Sequence, residues 1–201
     1  MSGPADEVIS LYQRNARRWD KDRLKILFEK GWLDRFLALS KPGAAILDIG
    51  CGSGEPMARY LIDNGRRLTG IDASPSMIAL CRARFPDHAW PAADMRALAL
   101  GRRFDGLLAW DSFFHLTPDA QRRMFAIFRA HANPGAALMF TSGRVLGESI
   151  GTYAGEPLYH SSLDTAEYRA LLDANSFEVV QQVEHDPECD RHCVWLARIE
   201  A

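Results

Sequence analysis

The eleven residues ILDIGCGSGEP, Ile46 to Pro56, constrain this chain more than any other stretch. Ala45–Ile49 reads as a buried strand, and a helix is expected from about Glu55 to Asp63; between them lies Asp48-x-Gly50-x-Gly52-x-Gly54. Glycines at a strand-to-helix junction let the backbone turn tightly and approach a ligand without a Cβ in the way. The placement carries the signal, because a lone Gly-x-Gly occurs in many contexts.

The remainder of the chain repeats the strand-then-helix pattern. Further strands are expected at Arg67–Ile71, His88–Pro91, Phe104–Trp110, Ala136–Thr141, Phe177–Val183 and Cys193–Ile199. The last two are separated only by the turn-rich Glu184–His192 and should pair as an antiparallel hairpin. Ser74-Pro75, Thr117-Pro118 and Asp164-Thr165-Ala166-Glu167 are helix starts, each with a side chain able to cap. Before the alternation begins, residues 5–20 and 23–39 carry apolar positions at helical spacing, whereas residues 143–162 show no clear period. The fold class that follows is α/β: a Rossmann-like three-layer sandwich with a seven-stranded, mostly parallel sheet and an antiparallel C-terminal strand. A length of 201 residues, 47% of them hydrophobic, suits one domain: 1–40 helical, 44–142 the ligand-binding core, 143–201 a substrate-side segment and the hairpin.

Bulk properties narrow the function. A formal net charge of -2 offers no positive field to phosphate backbones or anionic membranes, so neither nucleic acid nor membrane is an expected partner. MSGPADEVIS has neither the basic segment nor the apolar run of a signal peptide, and four scattered cysteines fit reduced thiols; the expected location is cytoplasmic.

The glycine loop also selects among ligands. A dinucleotide site would want glycine at position 55, where the chain has Glu55, and a carboxylate at a helix N-terminus repels a pyrophosphate. Asp72, ending the second strand, can accept two hydroxyls of a ribose. A nucleoside-bearing ligand without phosphates satisfies both observations.

Four ordered segments, ILDIGCGSGEP, GIDASPSMI, AADMRAL and FDGLLAWDSFFHL, resemble the motifs of the class I S-adenosylmethionine-dependent methyltransferases, of the small-molecule type, over roughly residues 44–142. The resemblance implies S-adenosyl-L-methionine as cofactor. It implies Asp48, Gly50, Cys51 and Gly52 near its methionine portion, Asp72 on the ribose, and Ala73 and Met77 beside the adenine. Asp94 would meet the adenine amino group with Met95 against the ring, and Trp110 and Asp111 would lie near the reacting centre. Tyr12, Ala16 and Trp19 resemble the lead-in that folds over the cofactor as a lid in many members, with Tyr12 the preferred lid residue.

At the acceptor end Asp111 and His115 are the catalytic candidates, His115 as a base or as a packed histidine that satisfies backbone. Arg144, Tyr153, Tyr159 and His160 are candidates for substrate contact. Cys189, His192 and Cys193 supply only three ligands, so no metal is expected. The reading is an enzyme transferring methyl from S-adenosylmethionine to a small molecule. A noncatalytic S-adenosylmethionine-binding protein and an NAD-dependent oxidoreductase are the alternatives, and the oligomeric state is open.

Overall fold

A computed structural model describes residues 3–143 and 146–200. The strands are β1 (Ala45–Ile49), β2 (Arg67–Ile71), β3 (Phe104–Ala109), β4 (Ala132–Ser142), β5 (Gly147–Tyr153), β6 (Glu156–Ser162), β7 (Phe177–Asp186) and β8 (His192–Ile199). The helices are α1 (Pro4–Asp22), α2 (Lys30–Ala38), α3 (Met57–Asp63), α4 (Pro75–Arg84), α5 (Pro118–His131) and α6 (Thr165–Ala174). Six strands form the main sheet in the order β2-β1-β3-β4-β8-β7, and β5 and β6 pair separately. β1 pairs parallel with β2 and β3, β3 parallel with β4, and β8 antiparallel with both β4 and β7.

Strand alternation builds the three layers. Successive residues of a strand face opposite sides, so in β1 Leu47 and Ile49 join one core cluster while Ile46 joins the other. The first cluster packs Met124, Phe125 and Phe128 of α5 and Tyr168 and Leu172 of α6 on the sheet; the second packs Trp32, Leu33 and Phe36 of α2 with residues of α3 and α4. Alpha helix α1 belongs to neither: Val8 and Leu11 pack with Leu158 and Tyr159 of β6 in a third, smaller cluster.

The expected caps form. Ser74 Oγ accepts from Met77 N–H at 3.2 Å, Thr117 Oγ1 from Ala120 N–H at 3.3 Å, and Asp164 Oδ1 from Glu167 N–H at 2.7 Å.

Three expectations change. The main sheet has six strands, not seven: the segment expected as a strand at 88–91 makes only one isolated parallel bridge, Thr69 to Ala89, followed by a second at Asp72 to Ala92. Pro91 between them has no N–H to continue a ladder. Residues 143–162, expected to lack regular structure, contain the β5–β6 hairpin; its two-residue turn, Ala154-Gly155, has φ of 55° and 85°. That is the geometry of a tight hairpin turn, but β5 is exposed along most of its length and carries no alternation. The second helix begins at Lys30 rather than residue 23, because Arg23 leaves α1 in an extended conformation and pairs with the wholly buried Glu29 at 2.6 Å across the loop.

Candidate active site

Next to β1 the strand order reverses, β2 lying on one side and β3 on the other. In open parallel sheets the crevice beyond the strand ends at such a point is where ligands bind. A cavity of about 1060 Å³, open mouth included, lies there, walled by residues that follow β1, β2 and β3 and roofed by α1. Every cofactor candidate lines it: Tyr12, Asp48, Gly50, Cys51, Gly52, Asp72, Ala73, Met77, Asp94, Met95 and Trp110. Asp111 and His115 line it too.

The glycine loop is shaped by its neighbours. Gly50, Gly52 and Gly54 have φ of 75°, 53° and 83°, the left-handed region that side chains disfavour. A Cβ on Gly50 would meet Ser112 Cβ at 2.3 Å, so the loop lies against Ser112, whose hydroxyl donates to Ile49 O at 2.7 Å. Asp72 holds the loop from the other side: Oδ2 accepts from Gly52 N–H at 3.1 Å and Oδ1 from Ser74 N–H at 2.8 Å. Each oxygen keeps a free lone pair for a ligand hydroxyl. Burial pushes the Asp72 carboxyl up, and its two backbone donors oppose that only in part.

Asp48 is 3% exposed, and its carboxyl accepts no hydrogen bond within the described residues. Burial, then the charge of Asp72, raises its carboxyl to about 7. Cys51 also lines the cavity, and burial keeps its thiol protonated.

Asp94 lies on the cavity wall with its carboxylate already engaged. Its oxygens are gripped by Arg96, with Nε at 2.9 and 3.1 Å and Nη2 at 2.6 Å, while Arg96 Nη1 reaches Asp6 of α1 at 2.7 Å. These hydrogen bonds hold the Asp94 carboxyl low despite burial.

His115 donates Nδ1–H to Tyr159 O at 2.8 Å. A carbonyl only accepts, so in the neutral ring Nε2 is the acceptor, and it receives the Tyr12 hydroxyl at 3.2 Å. Burial lowers the imidazole to about 4. His115 is thus built to hold Tyr12 rather than to take a proton.

Among the substrate candidates, Arg144 lies outside the described residues. Tyr153, Tyr159 and His160 do not line this cavity but stand behind it. Tyr153 stacks on Tyr12 at 6.2 Å and meets Trp19 edge-on at 5.3 Å; His160 lies 4.8 Å from the His115 ring.

Sequence reasoning missed Arg23, Arg96 and Ser112, which also line the cavity, as does Trp19 of the lead-in, whose indole faces Gly52. Arg96 and Ser112 fall within two of the matched segments but at positions to which the resemblance assigns no role, and Arg23 reaches the cavity from the loop after α1, whose course is tertiary. His192, weighed only with Cys189 and Cys193 as a metal ligand, instead meets Asp111: Nε2 lies 2.9 Å from Oδ1. No group of three or more potential metal ligands is found among the described residues.

Residues 46–135 match the methyltransferase domain family. Over these residues the chain is similar to that family, and its fold is the one shared by solved S-adenosylmethionine-dependent methyltransferases. It is similar to a dTDP-3-amino-3,6-dideoxy-alpha-D-glucopyranose N,N-dimethyltransferase of Streptomyces fradiae, 33% identical over 102 residues, which are 50% of this chain and 40% of that protein. It is also similar to a malonyl-[acyl-carrier protein] O-methyltransferase of Pseudescherichia vulneris, 35% identical over 53% of this chain and 43% of that one. The chain thus spans about two fifths of the length of these curated relatives. Its fold matches the Burkholderia thailandensis 1,6-didemethyltoxoflavin-N1-methyltransferase, solved with 1,6-didemethyltoxoflavin and S-adenosylhomocysteine. The TM-score is 0.74 at 21% identity, covering 100% of this chain and 92% of that one. No helix among the described residues is long and apolar enough to cross a membrane.

Proposed function

We propose that this protein transfers a methyl group from S-adenosylmethionine to a small-molecule acceptor. The observation that carries the reading is Asp48: a buried carboxyl without a hydrogen-bond partner, beside a second carboxylate, on the wall of a cavity. Such an arrangement calls for a cationic ligand, and S-adenosylmethionine carries an ammonium and a sulfonium. Glu55, paired to Arg59 at 2.6 Å, adds negative charge where a dinucleotide would place its pyrophosphate.

In this reading Asp48, Gly50, Cys51 and Gly52 surround the methionine portion, Asp72 takes the ribose hydroxyls, and Ala73 and Met77 flank the adenine. Met95 covers the base, and Asp94 meets its amino group with whatever lone pairs Arg96 leaves. Trp110 and Asp111 stand at the reacting centre, and α1, through Tyr12, closes the cavity. Bound there, the cofactor supplies an electrophilic methyl on sulfur; the protein's share is alignment and the exclusion of water. The relatives are named for both nitrogen and oxygen methylation, so resemblance alone does not choose the acceptor atom.

Calorimetry with S-adenosylhomocysteine and with NAD tests the cofactor. Saturable binding of S-adenosylhomocysteine, weakened by Asp48→Ala, is expected; binding of NAD alone would overturn the reading. Methyl transfer to a panel of amines, alcohols, thiols and carboxylates, with Asp48→Ala as control, tests turnover.

A further inference from the structure

The walls of the cavity carry five carboxylates, Asp48, Glu55, Asp72, Asp94 and Asp111, and two guanidinium groups, Arg23 and Arg96. Both guanidinium groups are engaged by carboxylates. Arg96 holds Asp94 and Asp6, and Arg23 lies 2.6 Å from the buried Glu29. Glu55 is likewise held by Arg59. Asp111, directly after β3, is the remaining carboxylate near the acceptor end.

Asp111 is held unusually firmly. Its φ is 46°, a left-handed conformation for a residue that is not glycine. Its backbone N–H donates to Thr141 Oγ1 at 2.9 Å, and Oδ1 accepts from His192 Nε2 at 2.9 Å. His192 Nδ1 in turn donates to Cys189 O at 2.7 Å. A carbonyl and a carboxylate both only accept, so the His192 ring carries both protons and is an imidazolium. It lies between Trp110, 5.5 Å away, and Phe28, 6.0 Å away, each inclined at 30°. Burial opposes that charge, but the Asp111 hydrogen bond, the Asp111 charge and the Cys189 carbonyl together outweigh it and raise the imidazole above its ordinary range. Asp111 Oδ2 makes no hydrogen bond among the described residues and has Arg23 Nη2 at 4.0 Å.

We propose that the acceptor is a nitrogen nucleophile bearing an N–H, received by Asp111 Oδ2, and that His192 is the positioning residue that fixes Asp111 for it. This rests on the methyl-transfer reading above. A carboxylate acceptor has no hydrogen to give Asp111 and would enter a wall rich in negative charge without a free cation among the described residues. A hydroxyl acceptor must lose its proton as its bond to carbon forms; the imidazole on the wall, His115, has its lone pair occupied by Tyr12, and a carboxylate such as Asp111 is a far weaker base than an alkoxide. A neutral nitrogen needs neither cation nor base. Its lone pair forms the N–CH3 bond, the S–CH3 pair stays on sulfur to leave a neutral thioether, and the alkylated nitrogen releases its proton to water.

The test uses two analogues of S-adenosylhomocysteine in which a tertiary amine replaces sulfur and carries either an aminopropyl or a carboxyethyl arm. Calorimetry should show wild type binding the amine-armed analogue at least about tenfold more tightly than the carboxylate-armed one. In Asp111→Asn and in His192→Phe that preference, each affinity being taken relative to the same variant's S-adenosylhomocysteine affinity, should fall below about threefold, and circular dichroism with thermal melts reports that both variants fold. Nitrogen NMR of wild type should show two protonated ring nitrogens at His192. Equal or tighter binding of the carboxylate arm, survival of the preference in either variant, or a neutral His192 ring would overturn the proposal. If S-adenosylhomocysteine itself did not bind to wild type, the methyltransferase reading beneath it would fall as well.

Discussion

The Tyr12 hydroxyl of α1 donates to His115 Nε2, 3.2 Å away in the turn after β3. One hydrogen bond across 103 residues thus ties the roof of the cavity to its floor. Tyr12→Phe keeps the ring and its contacts with Trp19 and Tyr153 but leaves Nε2 without a donor. The expected loss is about 1 kcal/mol, or about fivefold in S-adenosylhomocysteine affinity, expressed mainly as faster dissociation. Stopped-flow release measures it, and an unchanged off-rate would remove Tyr12 from the closing contact.

A second clasp lies at the other end of α1. Arg84 of α4 donates to Asp20 Oδ1 at 2.7 Å and to Ser53 O at 3.0 Å, joining the helix to the glycine loop. Arg84→Ala should lower amide-exchange protection in α1 by about 1 kcal/mol or less, because the pair is partly exposed. Protection in β1 and β3 should not change. Equal loss throughout the domain would show that α1 does not open independently.

Asp48 predicts a pH dependence with a definite sign. Its carboxyl sits at about 7 in the fold, raised by burial and then by Asp72, against 3.8 ordinarily. Between these values the unfolded chain releases the proton while the folded one keeps it. The contribution of this group to stability therefore falls as pH rises through that window, and the full penalty applies above about pH 7. Asp48→Asn should be more stable than wild type at pH 8 by on the order of a few kcal/mol and close to it below about pH 4. The same variant should bind S-adenosylhomocysteine less tightly. Thermal melts across pH check the first effect and calorimetry the second; parallel pH profiles for variant and wild type would contradict the assignment.

Two glycines of the loop should respond unequally to alanine. At Gly52 an added Cβ finds Trp19 Nε1 at 3.7 Å, ordinary contact, so Gly52→Ala carries mainly the left-handed backbone cost of about 1–2 kcal/mol. At Gly50 the same Cβ meets Ser112 Cβ at 2.3 Å in addition, and overpacking adds about 1–3 kcal/mol. Chemical denaturation should rank Gly50→Ala well below Gly52→Ala. The reverse order would mean that the Ser112 wall yields.

The sequence by itself determined the parallel core and the glycine-loop side of the cavity, because those depend on local order. A strand, a glycine turn and a helix are contiguous residues, and Asp48 and Asp72 follow from strand ends whose burial shows in composition. The three helix caps were legible for the same reason: donor and acceptor lie within three residues. Only the tertiary structure decided the opposite side, around Asp111 and His115. Asp111 meets His192 across 81 residues, Tyr12 meets His115 across 103, and Arg96 joins Asp6 across 90. The β5–β6 hairpin escaped for a related reason, since a strand exposed along most of its length has no buried side to impose a period. Local propensity and spacing write the scaffold into neighbouring residues, whereas the polar pairs that line the cavity beside Asp111 and beneath α1 exist only once distant segments are packed together.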